Sequence, residues 1–207
     1  MARMNRPRPA PAPQPAPAPA RAPIRLSAQV LTCLVLCAIA APVIHFTQDA
    51  PLAVFTRPAA PMWQLVIGQG LALVAAIASY AVYRMTARSA STARTIETYA
   101  RLDLRGLNPL WMALAAAVGE EMLFRAALQP LLGVWITSIL FLATHVSVYR
   151  FRQLDKATLA QAAGVFGVSV ALGFIFQYVG LIAALLVHLW IDIVGLLVVR
   201  AALLARR

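Results

Sequence analysis

Apolar runs of membrane-crossing length alternate with short polar stretches along this chain. They cover about residues 27–46, 62–86, 108–130, 132–149, 158–176 and 181–200. A helix of roughly 20 apolar residues spans the ~30 Å hydrocarbon core of a bilayer. The pattern therefore predicts an all-α integral membrane protein, a bundle of about six transmembrane helices. Local signals punctuate the runs. Asn108 is a good N-cap and Pro109 suits the first helical position, so the pair opens the third span and Pro130 closes it. Gly180 marks a tight turn before the sixth. Trp63 and Tyr83 sit near opposite ends of the second span as interface anchors. Ala163, Gly167 and Ala171 form a small-residue face on the fifth, suited to close packing by another helix.

Residues 87–107 break the pattern. Ile96, Tyr99, Ala100, Leu104 and Leu107 recur at helical spacing, while Arg94, Glu97, Arg101 and Arg105 take the other face. This is either an amphipathic surface helix on the inner leaflet or a solvated linker.

Composition agrees with the pattern: 61% of the 207 residues are hydrophobic and 12% are charged, about half the charged fraction of a soluble domain. The net charge of +11 suggests nucleic acid until the charges are placed. With the N-terminus inside, all 18 Lys and Arg except Arg57 and Arg125 fall on cytoplasmic segments, as the positive-inside rule requires. The expectation is a multi-pass protein of the plasma membrane or cell inner membrane, with both termini cytoplasmic, membrane lipid around it and no nucleic-acid partner. Residues 1–26, rich in Pro, Ala and Arg, read as a disordered cytoplasmic tail. Residues 27–107 hold two spans and the basic linker, and residues 108–207 hold a four-helix core. A cleaved signal peptide is the rival reading of 27–46, since Ala38-Ile39-Ala40 resembles a cleavage site; the long leader favours a retained anchor. Cys33 and Cys37, one turn apart, read as small buried hydrophobes, and His45 as an interfacial residue.

Ionisable residues inside the apolar runs demand an account. Glu120, Glu121 and Arg125 lie together in the third span, where each charge costs roughly 2.5–3.5 kcal/mol at the membrane centre. Such groups must face the bundle interior and find partners. Glu121 and Arg125 are i,i+4 and can neutralise each other. Glu120 is about 100° away around the helix, with no partner in its own segment. His145 stands on the fourth span, and His188 and Asp192, also i,i+4, on the sixth. One water-accessible pocket between the third, fourth and sixth spans would gather Glu120, His145, His188 and Asp192. That set suits peptide-bond hydrolysis: a carboxylate as general base toward water, two imidazoles to hold a metal or an oxyanion, and an acid to orient an imidazole or complete a ligand set. Taken singly, each residue reads equally well as a lock between helices.

The pattern resembles the CPBP intramembrane proteases, which comprise type II CAAX prenyl endopeptidases and bacteriocin-processing and immunity proteins. The motif E-E-x-x-x-R is matched by Glu120-Glu121-Met122-Leu123-Phe124-Arg125. F-x-x-x-H is matched by Phe141 and His145, and H-x-x-x-N by His188 and Asp192, with Asp in place of the usual Asn. The resemblance covers about residues 108–200, which makes 108–207 a CPBP-like catalytic core. It implies a glutamate-dependent intramembrane endopeptidase in which Glu120 activates water. His145 and His188 would bind a metal or the oxyanion, while Glu121, Arg125 and Phe141 support the geometry. Zn2+ held by His145, His188 and Asp192 is the candidate cofactor, and metal-independent hydrolysis its alternative. An ionised Asp192 cannot donate a hydrogen bond as Asn does, so it fits a ligand or a His188 orienter better than an oxyanion donor. The substrate would be a membrane-associated protein or peptide, prenylated or leader-type. A non-enzymatic membrane partner, such as an immunity or assembly factor, is the alternative. An ion-coupled transporter ranks below it, since intramembrane Glu, Asp and His also mark ion paths, and a haem-binding bundle lower still.

Overall fold

A computed structural model describes residues 23–149 and 155–205. Most of the tail, the loop residues Arg150 and Arg152, and Arg206 and Arg207 lie outside the described residues. The chain is an all-α membrane protein, and among the described residues two isolated bridges are the only β pairings. The helices are α1 (Leu26–Thr47), α2 (Pro61–Thr86), α3 (Ala90–Tyr99), α4 (Asn108–Glu120), α5 (Gln129–Tyr149), α6 (Lys156–Tyr178) and α7 (Leu181–Leu204). A 3-10 turn, Pro51–Phe55, follows α1, and a π-helical segment, Glu121–Leu128, joins α4 to α5.

The third and fourth predicted spans form one apolar helical stretch of 39 residues, Asn108–Val146. Straight, it would run about 58 Å, twice the hydrocarbon thickness. It is not straight. Gly133 has φ 74° and ψ 171°, a conformation essentially confined to glycine, and the chain doubles back there. An unbroken helix would hold Phe124 and Phe141 about 25 Å apart; their ring centroids are 5.0 Å apart. The break thus falls at Gly133, not at the predicted Pro130, which remains inside the helical stretch. Pro130 brings no N–H to the ladder, and the Ala126 carbonyl four residues before it accepts from Gln48 Nε2 at 2.7 Å. Two other local expectations change. Asn108 is the first helical residue and makes no capping bond; Leu107 holds the cap position and Pro109 the start of the helix. Ala163, Gly167 and Ala171 are exposed on α6 rather than packed by a helix. The close approaches lie elsewhere: a Cβ at Gly68 would come 2.6 Å from Ala183 Cα, and one at Gly119 would come 2.9 Å from Cys33 Cα.

Helix α7 runs through the middle. Its Leu181 packs with Ala40, Ile44, Val54, Ala126 and Ala127 at one end. Val187 meets Ala72 and Leu172 in the middle. Leu196 and Val199 join Ile96, Leu104, Met112 and Ala113 at the other end. Gln64 on α2 is fully buried and supports the start of α7. Its Oε1 accepts from the Ile182 N–H at 2.9 Å, one of the orphan donors of a helix N-terminus. Its Nε2 donates to the Phe55 and Ala59 carbonyls. The outer surfaces of α1 and α2 expose large apolar side chains, among them Leu31, Leu34, Leu73 and Ile77, as lipid-facing helices do.

The basic segment after α2 is a docked helix. Ser89 caps α3 by accepting from the Thr92 N–H at 3.2 Å, and Ile96 is buried in the core. Arg94 forms a bidentate pair with Asp155, Nη1 to Oδ1 at 2.8 Å and Nη2 to Oδ2 at 2.6 Å. Asp155 also caps α6 by accepting from the Thr158 N–H at 2.9 Å. The Arg94 guanidinium, with the Thr158 N–H, holds the Asp155 carboxyl well below the usual carboxylate range. Arg101 and Asp103 beyond α3 pair with Ile24 just before α1: Ile24 N–H donates to the Arg101 carbonyl and Asp103 N–H to the Ile24 carbonyl.

Candidate active site

The ionisable residues of three helical segments converge because the reversal at Gly133 folds α5 against the π-helical segment that follows α4. Glu120 closes α4, His145 lies near the end of α5, and His188 and Asp192 occupy successive turns of α7. Glu120 Oε2 is 3.9 Å from His145 Nε2 and 3.8 Å from His188 Nε2. Asp192 Oδ2 is 3.6 Å from His188 Nε2. The four residues expected to converge therefore do so. A cavity of about 250 Å3 is lined by His145, His188 and Asp192 together with Thr95, Tyr99 and Gln161; Glu120 is beside His145 and His188 and is not itself in the lining.

The other ring nitrogen of each histidine is fixed. His145 Nδ1 is 2.8 Å from the Phe141 carbonyl. A carbonyl only accepts, so Nδ1 carries the proton and Nε2 faces Glu120. The Phe141 ring stacks on the same imidazole at 4.4 Å and 25°, which gives the F-x-x-x-H spacing a physical meaning: one residue sets both the tautomer and the plane of the histidine one turn on. His188 Nδ1 donates to Glu121 Oε1 at 2.8 Å. Glu121 is thus the group that orients His188, the arrangement of a metal-ligating or catalytic histidine with a carboxylate behind it. Asp192, assigned that role or a ligand's from the i,i+4 spacing, lies on the Nε2 side of the ring.

Glu121 and Arg125 are both fully buried and meet as expected, Arg125 Nε to Glu121 Oε2 at 3.4 Å. Arg125 reaches further than a local pair requires. Its Nη2 donates to Ser169 Oγ at 3.1 Å, and its guanidinium carbon lies 5.4 Å from the Phe141 ring centroid, within cation–π range. Arg125 and Glu121 therefore hold both histidines, one through Phe141 and one directly. Ser169, Gln161 and Thr95 were not picked out from the sequence, and Tyr99 was read only as part of an apolar helix face. A search of the apolar runs for uncharged polar residues would have flagged Ser169 and Gln161.

Two imidazole nitrogens and two carboxylates are donors that zinc accepts. Among the described residues, however, no group of three or more His, Cys, Asp or Glu is gathered closely enough to hold a metal ion. The facing atoms stand 3.6–3.9 Å apart, somewhat wider than the roughly 3.4 Å that bonds of about 2.1 Å set between tetrahedral ligands.

Residues 105–194 match the family model described as type II CAAX prenyl endopeptidase Rce1-like. The match contains every residue of the cluster. A curated protein of Bacillus subtilis (strain 168), "Uncharacterized protein YpbD", is 36% identical over 86 residues, which make up 41% of this chain and 42% of that protein. The chain thus aligns with less than half of that relative's length. No solved structure matches the chain.

Proposed function

We propose that this chain, whose residues 105–194 are of the type II CAAX prenyl endopeptidase Rce1-like kind, is an intramembrane endopeptidase. Its substrate is a membrane-associated protein or peptide, of prenylated or leader type. The observation that carries this reading is the position of Glu120 Oε2, within 3.9 Å of two imidazole Nε2 atoms whose Nδ1 protons are committed elsewhere. Glu120 then has one free task, proton exchange with a group in the gap.

The chemistry follows from those positions. A water in the gap gives a proton to Glu120 as its oxygen attacks the substrate carbonyl carbon, and the carbonyl π electrons move to oxygen. His188, surrounded by the carboxylates of Glu120, Glu121 and Asp192, holds a proton on each nitrogen and donates from Nε2 to the oxyanion. When the tetrahedral centre collapses, the C–N bond breaks and Glu120 returns its proton to the leaving nitrogen. One water is consumed, and a carboxylic acid and an amine result. His145, with its proton held at Nδ1, presents Nε2 as an acceptor that fixes the water's second hydrogen. Asp192 balances the His188 charge, a part that an ionised acid can play where an amide could not.

The test is cleavage by the purified protein in lipid nanodiscs. The probes are a panel of synthetic peptides carrying a hydrophobic anchor, with and without a C-terminal prenylated cysteine motif. Mass spectrometry reads the new termini. A single cleaved bond near the membrane surface in at least one peptide is expected; an intact panel, with the protein folded, contradicts the reading.

A further inference from the structure

Helix α3 lies outside the matched residues 105–194, yet it lines the cavity that His145, His188 and Asp192 also line. Thr95 and Tyr99, i and i+4 on one face, both line it. The helix is not a loose surface element. Arg94 clamps it to Asp155 and reaches Thr158 Oγ1 at 3.1 Å. Gln161 Nε2 donates to the Ser91 carbonyl and to Thr95 Oγ1, the latter at 2.8 Å. One cavity thus has two sources: the family-matched segment brings the ionisable groups, and α3 closes the space in front of them.

The lining between these walls is apolar, with Val165, Val168 and Ile191. Gly164, another lining residue, is exposed, and a Cβ placed on it would meet nothing within 4 Å, so a larger side chain has room there. A space of about 250 Å3 with such walls takes one apolar side chain of a peptide whose backbone lies at the carboxylate. Resting on the protease reading above, we propose that α3 is the substrate-selecting wall. In this assignment Thr95, Tyr99 and the gap at Gly164 decide by size which aliphatic side chain lies next to the scissile bond. A missing or extra methylene in a hydrophobic pocket discriminates by roughly 10–200-fold, so a wall change should be read easily in substrate ratios.

The experiment uses the full chain in nanodiscs and anchored peptides that differ in one residue beside the scissile bond: Ala, Leu or Trp, varied on each side in turn. Gly164→Leu, which fills open space, is expected to lower the Leu-to-Ala ratio of kcat/KM at least tenfold. Tyr99→Ala is expected to raise the Trp-to-Leu ratio at least tenfold. Ratios unchanged in both variants overturn the proposal and leave the protease reading intact. A second readout needs no cleavage. In a Gly164→Cys, Cys33→Ser, Cys37→Ser, Glu120→Gln protein, the Leu peptide is expected to slow maleimide labelling at least threefold relative to the Ala peptide. Slowed labelling with no wild-type cleavage would sink the protease reading and keep the wall. Equal labelling with both peptides overturns the wall.

Discussion

Phe141 shows how much of this site rests on single atoms. Its carbonyl fixes the His145 proton, its ring face stacks on that imidazole, and its ring also receives the Arg125 guanidinium. Phe141→Leu keeps the carbonyl and loses the stacking, so kcat should fall about tenfold with the fold retained, since small misplacements near the reacting groups carry such costs; a measured kcat within twofold of wild type would deny the ring a positioning role. Glu121→Gln should be harsher. It leaves Arg125 buried without its countercharge, and breaking a buried pair in this way costs about 3–5 kcal/mol, readable as a lowered midpoint in thermal or detergent unfolding. The pocket residues were legible in the sequence because ionisable groups inside apolar runs are costly enough to need a shared purpose. The second partner of Glu121 was not. Pairing with Arg125 accounts for one carboxylate oxygen, and helix spacing says nothing of what another helix offers the other. The same blindness placed Asp192 behind His188, where Glu121 stands.

At the scale of elements, the π-helical segment Glu121–Leu128 and the turn at Gly133 bring the cluster together. π-bulges occur often at functional sites, and this one lies between Glu120 and the reversal. Gly133→Ala places a side chain in a glycine-only conformation and should destabilise the protein by about 1–3 kcal/mol, measured as loss of folded yield and midpoint; an unchanged midpoint would mean the reversal does not depend on that residue. Helix positions themselves could be read from runs of apolar residues, and α1, α2, α6 and α7 follow the predicted limits closely. The reversal was misplaced by three residues because Pro is the stronger local breaker on paper, whereas here the Gln48 side chain covers the carbonyl beside it. The docking of α3 was left open between helix and linker, since it depends on Arg94 meeting Asp155 across distant sequence. That clamp gives a pH prediction. The Asp155 carboxyl is held below its ordinary range, so its contribution is complete above an unfolded-state pKa of about 3.9. The contribution is lost only as pH falls through the lower folded value. A spin label at Glu97→Cys, in a Cys33→Ser, Cys37→Ser background, should stay immobile from neutral pH to about pH 4 and loosen below it. Loosening between pH 5 and 7 would show that Asp155 does not hold the helix.

For the whole molecule, the proposed hydrolytic site lies within the membrane bundle on the side where α3 packs. From the distribution of Lys and Arg we propose that this side faces the cytoplasm, an orientation that single cysteines at Asp49 and Glu97 would check by labelling from one face at a time. The membrane class and helix-bundle fold were legible throughout, because hydrocarbon thickness and backbone hydrogen bonding leave a chain with these runs few choices. The part of the cavity wall contributed by α3 was not, because nothing in a polar, basic stretch announces that it will be drawn into a site. The central claim is that the Glu120 carboxylate moves the proton of the attacking water. Its most direct measurement is kcat/KM of Glu120→Gln against wild type on one cleaved anchored peptide, with folding of both verified by unfolding midpoint. A fall of about 10²–10⁴-fold with the midpoint preserved is predicted; activity within twofold of wild type would contradict the account.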